Sequence, residues 1–311
     1  MRLSTVILPV YPWAGEGRSI WTRADELGFS AGYTYDHLSW MSFRDKTWFG
    51  AVPTLAAAAV ATRNLRIGPL VTSPNFRHPV TLAKELMSLD DLSDGRLVVG
   101  IGSGGTGFDA SVLGTGPWTT RERSDRFAEF VPLLDRLLSQ PRTSETGRFY
   151  SAVEARMIPG CVQDPRAPFV IAATGPLGFG LAATFGAGWV TFGDPRRFDG
   201  ASGSADREAV RVQLEGLEAA CAARGRPFGS IEKVLLQSPG GDQPLDSLDA
   251  FVDWAGHYRA LGITELVVHW PIPESVFAAD LAVFESIATE GLAQLGTAPS
   301  VAGPEAPGPS A

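Results

Sequence analysis

The stretch LRIGPLVTSPNFRHPVTLAKELMSLDDLSDGRLVVGIGSGG, residues 65–105, sets out one repeating unit of the fold. An aliphatic run at 65–71 ends in Thr72-Ser73-Pro74-Asn75. A segment with helical apolar spacing follows, and a second aliphatic run at 96–101 empties into Gly102-Ser103-Gly104-Gly105. Short apolar runs bounded by turn formers read as strands, and a strand, a helix and another strand in succession make a βαβ unit. The unit recurs on both sides. Further strand-like runs lie at 3–8 (LSTVIL), 31–35 (AGYTY), 168–172 (PFVIA), 188–192 (GWVTF), 231–236 (IEKVLL) and 263–268 (ITELVV). Amphipathic stripes follow, among them Ile20/Ala24/Leu27, Phe127/Val131/Leu134/Leu138, Val210/Leu214/Leu217/Cys221 and Phe277/Leu281/Phe284/Ala288. Eight such units over about 250 residues predict a (β/α)8 TIM barrel, an α/β fold, in preference to a doubly wound sheet.

One interruption, at 139–167, predicts an excursion or hairpin between the fourth helix and the fifth strand. The Pro, Ala, Gly and Ser of the last residues lack periodicity, so the reading is a single domain over 1–295 and a disordered tail over 296–311. The 311 residues carry 26 Lys+Arg against 34 Asp+Glu and no basic run, a balance that disfavours nucleic acid and anionic membranes as partners. The N-terminal apolar segment is broken by Pro9 and Pro12, so neither a secretory core nor a membrane span is expected and the protein reads as cytoplasmic. Cys161 and Cys221 have no metal-ligand or disulfide spacing, and no metal site is expected.

Active sites of such barrels are built from the loops that follow the strands. Those loops hold Asp36-His37, Thr72-Ser73, Ser103-Gly104, Thr174-Gly175-Pro176, Gly193-Asp194, Gln237-Ser238 and His269-Trp270. His37 has the side chain suited to proton transfer near neutral pH, or it merely caps a strand. It adjoins Asp36 in sequence, but neighbours on a strand point to opposite faces and need not touch. His78, before Pro79, reads as a helix start. The glycine turn at 102–107 either admits a flat ring to the backbone or is a flexible loop. Thr174-Gly175-Pro176 opens a helix whose free N–H groups suit a phosphate or simple capping equally. Trp13, Trp40, Trp118 and Trp270 are candidates for the walls of an apolar pocket.

The block at 65–105, with LGFSAGYTYDHL at 27–38 and PFVIAATGPLGFGLAATFGAGWVTFG at 168–193, resembles the luciferase-like flavin and deazaflavin oxidoreductases, which are (β/α)8 barrels. The resemblance runs over roughly residues 1–290. Members that use coenzyme F420, a 5-deazaflavin, commonly carry an Asp-His pair after strand two, where this chain has Asp36-His37. The resemblance implies that Asp36 contacts the cofactor head group and that His37 exchanges a proton beside the reacting carbon. It places Val71 and Thr72 behind the ring, at a position where the family often has a bulge and a cis peptide. Ser103 and Gly104 would line the ring's other side, and Thr174, Gly175 and Thr191 would hold the phosphate-bearing chain. Tyr35 stands where Ser is common, and Gly105 where sugar-phosphate dehydrogenases of the family have an acidic residue. The expected function is therefore F420-dependent hydride transfer to or from a small-molecule substrate other than a sugar phosphate. The alternative is an FMN-dependent monooxygenase fed reduced flavin by a partner reductase and using O2. A non-catalytic flavin-binding barrel ranks third, and a hydrolase, lacking paired carboxylates, ranks last. The resemblance also implies a homodimer, with the apolar run at 51–61 suited to the contact or to packing within the barrel's own helical layer.

Overall fold

The structure, a computed structural model, describes residues 1–105, 108–194, 203–239 and 241–294. Its strands are β1 (Arg2–Val6), β2 (Ala31–Thr34), β3 (Arg66–Pro69), β4 (Val99–Ile101), β5 (Arg142–Thr146), β6 (Ser151–Arg156), β7 (Phe169–Ala172), β8 (Gly188–Thr191), β9 (Glu232–Leu236) and β10 (Glu265–His269). The helices are α1 (Arg18–Glu26), α2 (Ala51–Ala61), α3 (Pro79–Leu92), α4 (Asp109–Val112), α5 (Thr120–Ser139), α6 (Pro176–Phe185), α7 (Gly203–Ala222), α8 (Leu248–Ala260), α9 (Leu281–Ser286) and α10 (Leu292–Gln294).

Eight strands form one parallel sheet in the order β3-β2-β1-β10-β9-β8-β7-β4. The two ends meet through isolated parallel bridges at Ile67/Leu97 and Thr72/Ile101, which close the barrel. Thr72 N–H donates to Gly100 O at 2.9 Å and Gly102 N–H donates to Thr72 O at 2.9 Å. The seam is tight because two glycines line it. A Cβ on Gly68 would overlap the Val98 carbonyl oxygen, and one on Gly100 would come within 2.5 Å of Pro69 O. Between the two bridges the Leu70–Val71 peptide is cis, as the family resemblance implies.

Because each strand is covered on both faces, its residues divide between two apolar layers. Leu266 and Val268 of β10 pack toward the helices with Trp21, Leu86 and Phe130. Val267 instead fills the barrel interior with Val6, Tyr33, Leu70 and Val234. At the end of the interior where the strands begin, Glu265 is 1% exposed. It accepts hydrogen bonds from Ser4 (2.8 Å), Tyr33 (3.1 Å) and Arg2 (2.8 Å). The predicted excursion is an antiparallel hairpin of β5 and β6. It is pinned to α5 by the Glu129 carboxylate, which accepts the backbone N–H groups of Phe149 (2.9 Å) and Tyr150 (2.7 Å).

The last predicted stripe starts too early. Phe277 lies in a loop, buried in the barrel interior, and α9 begins only after Asp280, which caps it by accepting the Ala282 and Val283 N–H groups at 2.8 and 3.0 Å. His78 caps α3, its Nδ1 accepting Val80 N–H at 3.2 Å with Pro79 in the first turn. No helix of the described residues is long and apolar enough to cross a membrane. The expected tail at 296–311, and residues 106–107 of the glycine turn, lie outside the described residues.

Candidate active site

At the end of the barrel where the strands finish, a cavity of about 750 Å³, counted with its opening to solvent, is walled by Leu70, Val71, Ala172, Val190 and Leu236. Tyr35, Trp40 and Phe192 add aromatic surface, and His37, Thr191, Gln237 and Ser238 supply the polar groups. Among the described residues the lining has no Asp, Glu, Lys or Arg.

Side chains alternate along an extended chain, and the turn after β2 keeps that alternation. Tyr35 and His37 both face the cavity, while Asp36 between them turns away. The Asp36 carboxylate, 2% exposed, is gripped by Arg77, whose Nη2 donates at 2.6 Å and Nε at 3.0 Å. Burial works against the charged guanidinium, but the hydrogen bond and charge of Asp36 overcome it and leave the Arg77 pKa above its ordinary value.

His37 pairs with a different carboxylate. Its Nδ1 lies 2.7 Å from Asp109 Oδ2, and Asp109 Oδ1 accepts the Leu38 N–H at 2.7 Å. Asp109 is 1% exposed and opens the short helix α4 beyond the glycine turn. The His37 carbonyl accepts the Trp48 indole N–H at 2.8 Å, so the ring and the backbone of this residue are both anchored. An acceptor on Nδ1 places the proton there and leaves Nε2 as the nitrogen free to exchange one.

Beside His37, Tyr35 Oη lies 2.8 Å from His269 Nε2. Burial raises the Tyr35 pKa and lowers that of His269 to about 3, so both are neutral. His269 stacks on Phe277, ring centroids 4.1 Å apart, and Phe277 stacks in turn on Trp40 at 5.5 Å.

Of the residues expected at the site, His37, Val71 and Thr191 line the cavity. The Thr191 hydroxyl is committed to the scaffold, donating to Gln213 Oε1 at 2.5 Å and accepting Gly193 N–H at 3.1 Å. Thr72 is buried at the seam with its hydroxyl unpartnered. Ser103 and Gly104 flank the seam without lining the cavity, and Gly104 has a φ of +74° with Asn75 packed where a side chain would go. Thr174 and Gly175 stand at the surface before α6, whose N-terminus has no side-chain cap. Asp109, Arg77 and Phe192 were not anticipated, since no local pattern marks them. Of the four loop tryptophans only Trp40 reaches this cavity; Trp13 lines a separate one beneath Tyr11 and Phe49.

The sequence has known relatives. It is 29% identical over 260 residues to 4-hydroxyprotoasukamycin monooxygenase of Streptomyces nodosus subsp. asukaensis, covering 81% of this chain and 67% of that one. It is 33% identical over 170 residues to the F420-dependent hydroxymycolic acid dehydrogenase of Mycobacterium tuberculosis, covering 54% of this chain and 46% of that one. The matched segment thus spans about half the length of the latter. The coenzyme F420 dependent tetrahydromethanopterin reductase of Methanopyrus kandleri shares the fold with a TM-score of 0.73 at 18% identity, covering 94% of this chain and 99% of that one. The sequence model of the luciferase-like monooxygenases matches residues 14–239, most of the barrel described above, and the chain belongs to that family of oxidoreductases.

Proposed function

We propose that the chain is an F420-dependent oxidoreductase that passes a hydride between the deazaflavin and a small uncharged substrate, with His37 moving the accompanying proton. The observation that carries this reading is the His37–Asp109 pair at the wall of a cavity whose lining bears no Asp, Glu, Lys or Arg among the described residues.

The cavity suits a flat ring with polar edges. Val71, Ala172 and Val190 offer apolar surface, while Gln237 Oε1 and Ser238 Oγ are buried without a hydrogen-bond partner. Buried polar atoms are rarely left unpaired, and the edge of a ring bearing carbonyl and N–H groups would pair them. In this reading Gln237 and Ser238 bind the ring edge, Val71 and Thr72 back it, and Ser103 and Gly104 flank it. The N–H groups at Thr174 and Gly175 receive the phosphate-bearing chain, and Thr191 shapes the wall. Asp36 holds Arg77 and thereby the turn that carries His37, in place of the direct cofactor contact expected from the resemblance.

When bound, the deazaflavin supplies the carbon that gives or receives the hydride. The chain supplies the rest. Nε2 of His37 accepts a proton from a substrate hydroxyl during oxidation, or returns it to the oxygen during reduction, and Asp109 compensates the imidazolium charge. The aromatic and aliphatic walls exclude water. Among the described residues they offer no cation to a phosphate or carboxylate on the substrate.

A second reading, FMN-dependent monooxygenation with O2 and reduced flavin from a partner reductase, is favoured by the monooxygenase relative that aligns with 81% of the chain. Fluorescence or absorbance titration with F420 and with FMN, each oxidised and reduced, separates the two. Tighter F420 binding supports hydride transfer, and tighter FMN binding overturns it. On the same reading the chain acts in the cytoplasm as a homodimer with α2 in the contact; the outward face of that helix leaves Val60 70% exposed.

A further inference from the structure

We propose that Tyr35 is a second polar contact to the ligand, a hydrogen-bond donor to a neutral carbonyl or hydroxyl oxygen, and that His269 is the positioning residue that frees its proton. The inference rests on the reading above only in taking the cavity as the substrate site.

A neutral imidazole has one N–H. His269 Nδ1 is buried with no hydrogen-bond partner, and Nε2 faces the Tyr35 oxygen at 2.8 Å. A proton on Nδ1 would be a buried donor with no hydrogen-bond partner among the described residues. A proton on Nε2 donates to Tyr35 Oη and leaves only a lone pair unpaired at Nδ1. Of these two costs, a buried orphan N–H is the rarer in proteins and an under-satisfied acceptor the more tolerated. With Nε2 donating, the tyrosine oxygen serves as acceptor and its own O–H turns to the cavity that Tyr35 lines, where no side chain among the described residues receives it. Two features hold the arrangement. His269 is clamped against Phe277, and Tyr35 meets Trp40 edge-on at 5.4 Å. Tyr35 and His37 sit side by side, ring centroids 6.1 Å apart, so one ligand oxygen region is faced by a fixed donor and by a group that exchanges protons. Beside this pair the lining is largely apolar, with Trp40, Leu70, Val71, Ala172 and Leu236, which suits an oxygen function carried on a hydrocarbon or aromatic body.

The probe is acetophenone labelled at its carbonyl carbon, bound to the protein with and without oxidised F420 and followed by isotope-edited infrared spectroscopy alongside its Kd. The wild type is expected to move the carbonyl stretch to lower wavenumber than an apolar solvent does. Tyr35→Phe, which keeps the ring, should abolish that displacement and weaken Kd about two- to tenfold, the worth of one neutral hydrogen bond. His269→Leu should lose the displacement as well, while His269→Gln, which retains an N–H donor, should restore it, a rescue that a purely structural role would not produce. Failure of the wild type to bind acetophenone, or an unchanged carbonyl band in Tyr35→Phe, overturns the proposal. Failure to bind F420 with the ketone result intact overturns the cofactor reading alone.

Discussion

Replacing Asp109 by Asn tests how the proton-exchanging nitrogen of His37 is chosen. In the wild type one carboxylate receives two donors at 2.7 Å, the His37 ring and the Leu38 amide. Asn keeps a single acceptor oxygen. If that oxygen stays with the Leu38 amide, the Asn NH2 faces His37 Nδ1 and drives the ring proton to Nε2, the nitrogen that should be free to accept one. The lost charge-assisted bond is worth about 1 to 2 kcal/mol, kept low because the His37 side chain is 22% exposed. At roughly 2 to 4 °C per kcal/mol for a large domain, Tm falls by only a few degrees. The effect on chemistry is larger, since a misplaced general base costs about 100- to 10,000-fold. Two measurements check this: the His37 tautomer by nitrogen-15 NMR, and anaerobic single-turnover reduction of oxidised F420 by the best neutral alcohol of a panel. A variant whose tautomer has flipped but whose rate stays within threefold of wild type would refute the role given to Nε2.

Arg77→Met strands the buried Asp36 carboxylate and should cost about 3 to 5 kcal/mol in urea unfolding, with Asp36→Asn on the same chain recovering most of it. Gly68→Ala drives a methyl into the Val98 carbonyl across the seam and should cost about 3 kcal/mol or more by the same assay; a neutral result would mean the seam can open. His269 makes stability depend on acid. Its folded pKa of about 3 lies below the unfolded value of about 6.5, so the unfolded chain binds the extra proton and stability falls as pH drops from about 6.5 toward 3, by about 1.4 kcal/mol per unit. Above pH about 6.5 the contribution is complete, and unfolding at about pH 7 and about pH 4 should show a shallower loss in His269→Gln than in wild type.

The strands were legible because each is buried on both faces and so reads as an aliphatic run punctuated by turn residues. The start of α9 was not, because Phe277 continues the helical spacing of Leu281 and Phe284 while its backbone belongs to the loop that Pro271 and Pro273 begin. At the site, strand alternation gave the right warning that Asp36 and His37 diverge. Their actual partners, Arg77 and Asp109, lie 41 and 72 residues along the chain. Such pairings form only when the loops after β2, β3 and β4 gather at one rim, and no window of sequence contains both members. The commitment of the Thr191 hydroxyl to Gln213 was hidden for the same reason.

The Tyr35-Asp36-His37 turn also limits how this loop can change length over time. A deletion or insertion of one residue between β2 and His37 would turn the imidazole toward Arg77 and swing a carboxylate into the apolar cavity, exchanging the two roles in a single step. Changes of two residues would preserve facing but lose the reach to Asp109. Length variation in descendants of this gene should therefore fall after Leu38, in the stretch that carries Trp40 and Phe43, where the loop can lengthen or shorten and recut the mouth of the cavity without disturbing the proton-exchanging pair.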